Sequence, residues 1–196
     1  MMEVNPTDKV LVHACCAPCS GAILEWLVGQ GIRPTVFFSN SNIYPFAEYE
    51  LRRGELLRYA ARLGQKAAGS RQESMGLVVI DDTYDHPAWR CAVQGLEAGP
   101  ERGERCLQCF RFRLERAARY AHEHGFNVLT TTLASSRWKD LAQVEAAGTW
   151  ACNLFPGLRW WGRNWRKNGL QERRSQIIRE QNFYNQTWCG CEFSRF

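Results

Sequence analysis

KVLVHACCAPCSGAILEWLVGQGIRPTVFFS, running from Lys9 to Ser39, is the stretch from which the fold is read. Lys9 to Ala14 is a short run rich in valine and leucine, bounded on its far side by cysteines and a proline, and it reads as a buried strand. Ser20 to Gly29 follows with Ile23, Leu24, Leu27 and Val28 at helical spacing, and Gly29 and Gly31 end it. Pro34 to Ser39 reads as a second strand. Strand, loop, helix and strand in this order make a parallel βαβ unit, because a crossover helix returns the chain to the edge from which it started.

Outward from this unit the alternation continues. Helices are expected over Glu48 to Leu63, His86 to Glu97, Leu107 to His124, Trp138 to Gly148 and Leu170 to Glu180, with strands over Leu77 to Asp82 and Asn127 to Thr132. The fold class is α/β: an open, mostly parallel sheet with helices on both faces, of the type found in nucleotide-alpha-hydrolase domains. Cysteines and Pro18 stand where such domains carry phosphate-cradling glycines and hydroxyls, so no ATP requirement is expected. Residues 1–196 read as one α/β metalloenzyme domain, and 150–196 as a C-terminal segment that closes the active site. Trp150 to Gly169 mixes one proline, three glycines and four tryptophans without a period, and irregular packing is expected there.

The chain carries no run of eighteen apolar residues and no basic-then-apolar leader, so a cytoplasmic protein without a membrane partner is expected. The net charge of +5 equals the excess of eight Arg or Lys over three Glu between Gly157 and Phe196. Trp160, Trp161, Trp165 and Trp188 fall in the same segment, and cations interleaved with aromatic rings suit a single-stranded nucleic acid. A packed lobe with a solvated basic face is the plainer alternative.

Nine cysteines are too many for a reducing compartment unless they bind metal or carry electrons. Cys91 and Cys152 stand alone and read as ordinary thiols. The other seven form three groups: Cys15, Cys16 and Cys19 at the first strand–helix turn, Cys106 and Cys109 opening the long helix, and Cys189 and Cys191 near the C-terminus. Sites in open α/β sheets form at the carboxyl ends of the strands, where the first group belongs by topology together with Asp81, Asp82, Thr130 to Thr132, Ser135 and Ser136. A four-sulfur centre of zinc or of a [4Fe–4S] cluster would use four thiols and leave three, and spacing alone does not choose between them.

At this point the residues resemble a known family. His13-Ala-Cys-Cys-Ala-Pro-Cys19 is the first mark, and Ser41-Asn-Ile-Tyr-Pro45 with Glu48, Tyr49 and Arg52 the second. Glu97 through Cys109 with Arg113 and Leu114, then Phe126 through Leu133 with Ser135, Ser136 and Lys139, continue the series. Asn168-Gly169, Gln181 to Tyr184 and Cys189-Gly-Cys-Glu-Phe-Ser194 complete it. Together they resemble the cobalamin-independent QueH family of epoxyqueuosine reductases. Ser136-Arg-Trp-Lys-Asp140 departs from the Ser-Pro-rich form expected of that family.

The resemblance implies reduction of epoxyqueuosine in a tRNA anticodon loop to queuosine, with a [4Fe–4S] cluster, a neighbouring mononuclear metal such as iron, and a low-potential electron donor. It implies Cys15, Cys16, Cys106 and Cys109 as cluster ligands. Cys189 and Cys191 are then a redox-active pair or, with Cys19, ligands of the second metal. For proton delivery the candidates are Asp81, Asp82, His13 and Tyr44, of which Asp81 and Tyr44 are retained. Arg102, Arg105, Arg111, Arg113 and Arg116 are expected either to meet tRNA phosphates or to pair with glutamates on their own helix face. Two other functions fit fewer of these residues: a zinc-stabilised nucleic-acid-binding module, and a thiol–disulfide oxidoreductase using Cys106 and Cys109.

Overall fold

The computed structural model describes residues 4–5, 7–68 and 77–194, with side chains from 64 to 68 left aside. Five parallel strands lie in the order β3-β2-β1-β4-β5: β1 (Val10–His13), β2 (Thr35–Phe38), β3 (Val79–Asp81), β4 (Val128–Thr131) and β5 (Arg159–Trp160). Every residue of β1 and β4 is buried, as expected for the central strands of a sheet covered on both faces. Leu11 pairs with Thr35 on one side and with Leu129 on the other.

Among the described residues six helices accompany the sheet: α1 (Ala17–Gly29), α2 (Phe46–Ala68), α3 (His86–Ala92), α4 (Glu104–Glu123), α5 (Leu141–Asn153) and α6 (Leu170–Gln181). Helix α1 packs on α2 and α6, while α4 packs on α5, β1 and β4. Right-handed crossovers require this division. The chain winds from β1 through α1 and α2 to β3, then returns across the sheet through α4 to β4. The direction of winding therefore reverses between β1 and β4, and that switch point opens a crevice at their carboxyl ends.

Two differences from the sequence reading have physical causes. Helix α1 begins at Ala17 rather than Ser20, because Pro18 occupies the first turn, where its missing N–H costs nothing. Cys16 is consequently the N-cap and Cys19 belongs to the first turn. The fifth strand lies inside the stretch expected to be irregular. It has two residues, and its hydrogen bonds come from β4: Arg159 N–H donates to Asn127 O at 3.0 Å and Trp161 N–H to Leu129 O at 2.8 Å.

Helix α5 lies close against β5 because Gly148 lacks a side chain. A Cβ there would stand 2.2 Å from the ring of Trp160. On propensity alone alanine would stabilise the helix by about 1 kcal/mol. Packing reverses the sign, and Gly148→Ala is expected to cost about 1–3 kcal/mol in urea unfolding.

Candidate metal and redox site

The N-terminal thiols sit at the switch point. Cys15 and Cys16 follow β1, and the Cys15 N–H donates to Thr132 Oγ1 at 3.1 Å, in the 3₁₀ turn (Thr132–Ser135) that follows β4. The Thr132 hydroxyl also lies 3.4 Å from Cys15 Sγ, and Ser135 Oγ donates to Cys19 O at 3.0 Å. Both sides of the crevice thus hold the turn in place. The Sγ atoms of Cys15, Cys16 and Cys19 all lie within 4.8 Å of one another, with Cys15 and Cys16 at 3.9 Å. Tetrahedral coordination at a metal–sulfur distance of about 2.3 Å places neighbouring sulfurs about 3.8 Å apart. Cys15, Cys16 and Cys19 therefore form a buried group that could hold one metal ion.

The other four thiols lie on α4 and on the turn around Gly190, and among the described residues no three of them come within ligand range of one another. Cys106 and Cys109 are three apart at the start of α4 and so share a face. Gly103 caps that helix without a side-chain bond, and the Arg102 N–H donates to Cys106 Sγ at 3.3 Å. Cys109 and Cys191 are buried in one small cluster with Trp89 and Val93, against which Cys189, Phe112 and Phe193 pack.

The C-x-C spacing has a steric reason. Gly190 adopts φ +101°, and a Cβ there would lie 2.9 Å from Ile43 and 3.1 Å from the Arg52 guanidinium. Arg52, itself buried, donates to Cys189 O at 3.0 Å and Trp188 O at 3.3 Å while pairing with Glu48 at 2.6 Å. The Tyr44 N–H donates to Gly190 O at 2.9 Å, and Glu192 meets His86 at 3.1 Å. These contacts explain Glu48, Arg52 and Tyr44 among the sequence marks: they hold the Gly190 turn.

Charge ties the groups together. The Cys15 thiol is pushed well below its ordinary range by hydrogen bonds from Cys16 and Cys19, with Lys139 and Arg113 adding to the effect against burial. Cys16 is pushed up for the converse reason. Cys189 is likewise held well below its usual value, first by Cys191 and then by Lys139 and Ser194, again against burial. Burial pushes Cys106 and Cys109 up, and both feel the charge of Cys189. Burial alone would lower Lys139, yet Cys15, Cys19 and Cys189 together hold its ammonium above its ordinary value. One cation therefore faces a thiolate from each end of the chain.

Lys139 and Arg113 are the site residues that sequence reasoning did not place. Arg113 was expected to reach phosphate or a helix-face glutamate; instead it is buried, donating to Ser39 O at 3.3 Å and to Asn40 Oδ1. Its position, four residues after Cys109 and seven after Cys106, was the available signal, since that spacing keeps it on the thiol face of α4. Arg105 is also buried and donates to the carbonyls of Glu97 and Gly99, while Arg116 pairs with Asp82 at 2.6 Å.

The remaining candidates are spread along the sheet edge. His13 is fully buried, its Nδ1 2.7 Å from Thr131 Oγ1 and its Nε2 3.1 Å from Ser39 O, and burial drives its pKa down to about 3. It is a neutral link between strands. Asp82 accepts from Ser39 Oγ at 2.6 Å in addition to Arg116. Asp81 ends β3, two strands from β1, where it accepts from Tyr49 Oη at 2.9 Å and pairs with Arg53. Tyr44 is exposed and stacks on His86 with ring centroids 5.1 Å apart.

The tryptophans expected to stack on nucleic acid are largely internal. Trp165 is 1% exposed and Trp161 5%, and both pack on Trp26. Arg195 lies outside the described residues. No helix among the described residues is long and apolar enough to cross a membrane.

Buried cysteines clustered at the switch point of a parallel sheet, with the Cys15 thiol drawn below its ordinary range chiefly by the thiols beside it, suit metal or redox chemistry in an α/β enzyme. A family profile described as Epoxyqueuosine reductase QueH matches residues 10–196. The chain is 41% identical over 187 residues to a protein named epoxyqueuosine reductase QueH from Haemophilus influenzae, covering 95% of this chain and 71% of the relative. A protein of the same name from Acinetobacter baylyi is 42% identical over 187 residues, with 95% and 80% covered. One from Thermotoga maritima is 30% identical over 185 residues, with 94% and 89% covered. The chain belongs to the QueH family of epoxyqueuosine reductases.

Proposed function

We propose that this protein reduces epoxyqueuosine to queuosine in the anticodon loop of tRNA, in the cytoplasm, with electrons from a low-potential donor. The product keeps the ring, gains a carbon–carbon double bond and loses the epoxide oxygen as water, so the reaction consumes two electrons and two protons. The observation that carries this reading is the Cys15, Cys16 and Cys19 group at the switch point, which has the chemistry of a metal centre in a chain of this family. Surplus thiols argue for catalysis over scaffolding, since a structural zinc would use only four.

The proposed ligands of a [4Fe–4S] cluster are Cys15, Cys16, Cys106 and Cys109, leaving Cys19, Cys189 and Cys191 for a mononuclear iron or for a redox-active pair. The tight packing of Cys15, Cys16 and Cys19 favours a second partition, in which these three hold the lone metal and Cys106, Cys109, Cys189 and Cys191 hold the cluster. In either case the bound groups supply low-potential electrons and Lewis acidity for C–O cleavage.

The chain's own residues do the rest. Lys139 balances the negative charge of Cys15 and Cys189 and keeps both thiolates available. Tyr44, exposed beside the Gly190 turn, is the first proposed proton source, and Asp81 the second, because Arg53 and Tyr49 already engage its carboxylate. The segment from 150 to 196 closes the site through the Gly190 turn that Arg52 holds.

Anaerobically purified protein, supplied with a strong reductant and tRNA bearing epoxyqueuosine, is expected to yield queuosine on nucleoside mass analysis. A colourless protein carrying one zinc and making no product would overturn the proposal, and turnover surviving complete metal removal would favour a plain dithiol enzyme.

A further inference from the structure

We propose that Trp138 is the platform on which an unpaired nucleotide of the substrate RNA stacks, with Arg102, Arg137 and Arg166 meeting the adjoining phosphates. The inference rests on the tRNA reading above, but not on the reduction. Trp138 is 68% exposed, the most exposed large apolar side chain among the described residues. The Arg137 guanidinium lies 5.1 Å from the centroid of its ring. An exposed indole already flanked by a guanidinium offers a nucleobase both a stacking face and a cation.

The loop carrying Trp138 is fastened on every side. Arg102 Nε donates to Trp138 O at 3.0 Å, and Arg166 donates to Ser136 O and, at 2.7 Å, to Lys139 O. Asp140 caps α5 by accepting from the backbone of Ala142 and Gln143. Gln143 Nε2 in turn donates to Arg102 O at 2.8 Å. A loop backbone held this way loses little freedom when a base settles on the ring it carries.

Charge chooses the occupant. None of Arg102, Arg137 and Arg166 forms a salt bridge among the described residues. The nearby acid, Asp140, is engaged at the helix cap. Burial, and then the like charge of Arg102, push Arg166 below its ordinary pKa. Three guanidiniums without an acidic partner among the described residues, one over the indole and two on the backbone of its loop, fit a polyanion with flat bases better than an apolar protein face.

Position supplies the register. The Arg102 N–H donates to Cys106 Sγ at 3.3 Å, and Ser135, three residues before Trp138, donates through its hydroxyl to Cys19 O at 3.0 Å. A base stacked on Trp138 therefore sits beside the nucleotide that enters the thiol site.

The test is fluorescence anisotropy with the full chain and a labelled anticodon stem-loop RNA carrying unmodified guanosine at the target position. Trp138→Ala is expected to weaken binding about ten- to a hundredfold, and Trp138→Phe by no more than about threefold. Arg137→Ala should lower the slope of log affinity against log salt by about 0.7. The same helix without its loop should be insensitive to Trp138→Ala. Binding by Trp138→Ala within about twofold of the parent, or equal loss on the loopless helix, overturns the proposal. Absence of queuosine from the parent protein, with these binding effects intact, would sink the reductase reading and leave this one standing.

Discussion

With Cys15 replaced by alanine, the protein is expected to lose turnover by far more than the hundredfold or so that removal of an outer-shell partner of a metal costs. Cys15 is a ligand in both partitions, and it is the thiol that Cys16, Cys19, Lys139 and Arg113 jointly hold as thiolate. Its loss also leaves Lys139 facing fewer negative partners. The accompanying change in visible absorption separates the two partitions. If Cys15 binds the cluster, the alanine variant is colourless while Cys189→Ala keeps its colour. If Cys15, Cys16 and Cys19 bind the lone metal, Cys15→Ala stays brown with less iron, and Cys189→Ala is the colourless one. Product formation by Cys15→Ala at the parental rate would contradict both.

Trp165→Ala is expected to destabilise the fold by about 3–5 kcal/mol, lowering the unfolding midpoint by roughly 6–20 °C for a chain of this size. Trp165 packs edge-on to Trp26 at 5.7 Å and to Trp161 at 5.3 Å, and the Arg163 guanidinium covers it at 4.9 Å. The indole N–H has no hydrogen-bond partner in this pocket. Trp165→Phe, which removes that orphan donor along with some volume, should therefore cost markedly less than alanine. Thermal unfolding followed by circular dichroism distinguishes these outcomes. A midpoint unchanged in Trp165→Ala would show that the tryptophan cluster is peripheral to stability.

These two residues mark the limits of what the sequence made legible. The βαβ opening was readable because β1 is a short β-branched run and α1 carries apolar residues at helical spacing, with Pro18 punctuating their junction. Cys106 and Cys109 were readable as a pair because three-residue spacing has one meaning at a helix start. Strand β5 was not, because a two-residue strand has no period and exists only through the β4 carbonyls that accept from it. Trp161 and Trp165 read from sequence as part of either a nucleic-acid face or a packed lobe, and they lie inside. Tryptophan beside arginine describes an RNA-facing surface and a core capped by guanidinium stacking equally well, and Arg163 over Trp26 at 3.9 Å is the second case. Trp138, with the same chemistry, lies outside. Only the packing of neighbouring elements tells the two apart.

Lys139 was invisible as a charge partner for a different reason. It lies 124 positions from Cys15 and 50 from Cys189, counting along the numbering (139 − 15 and 189 − 139). No local pattern connects residues so far apart.

The dispersed origin of the site also has a consequence for the growing polypeptide. Cys15, Cys16 and Cys19 leave the ribosome well before Arg113 and Lys139, whose charges add to the lowering of the Cys15 pKa that the neighbouring thiols begin. Until those two residues have folded against the N-terminal turn, Cys15 lacks that part of its acidity and reacts more slowly with oxidants. The full reactivity of this sulfur is thus a late event of maturation, delayed until the segment from α4 to α5 has packed onto β1.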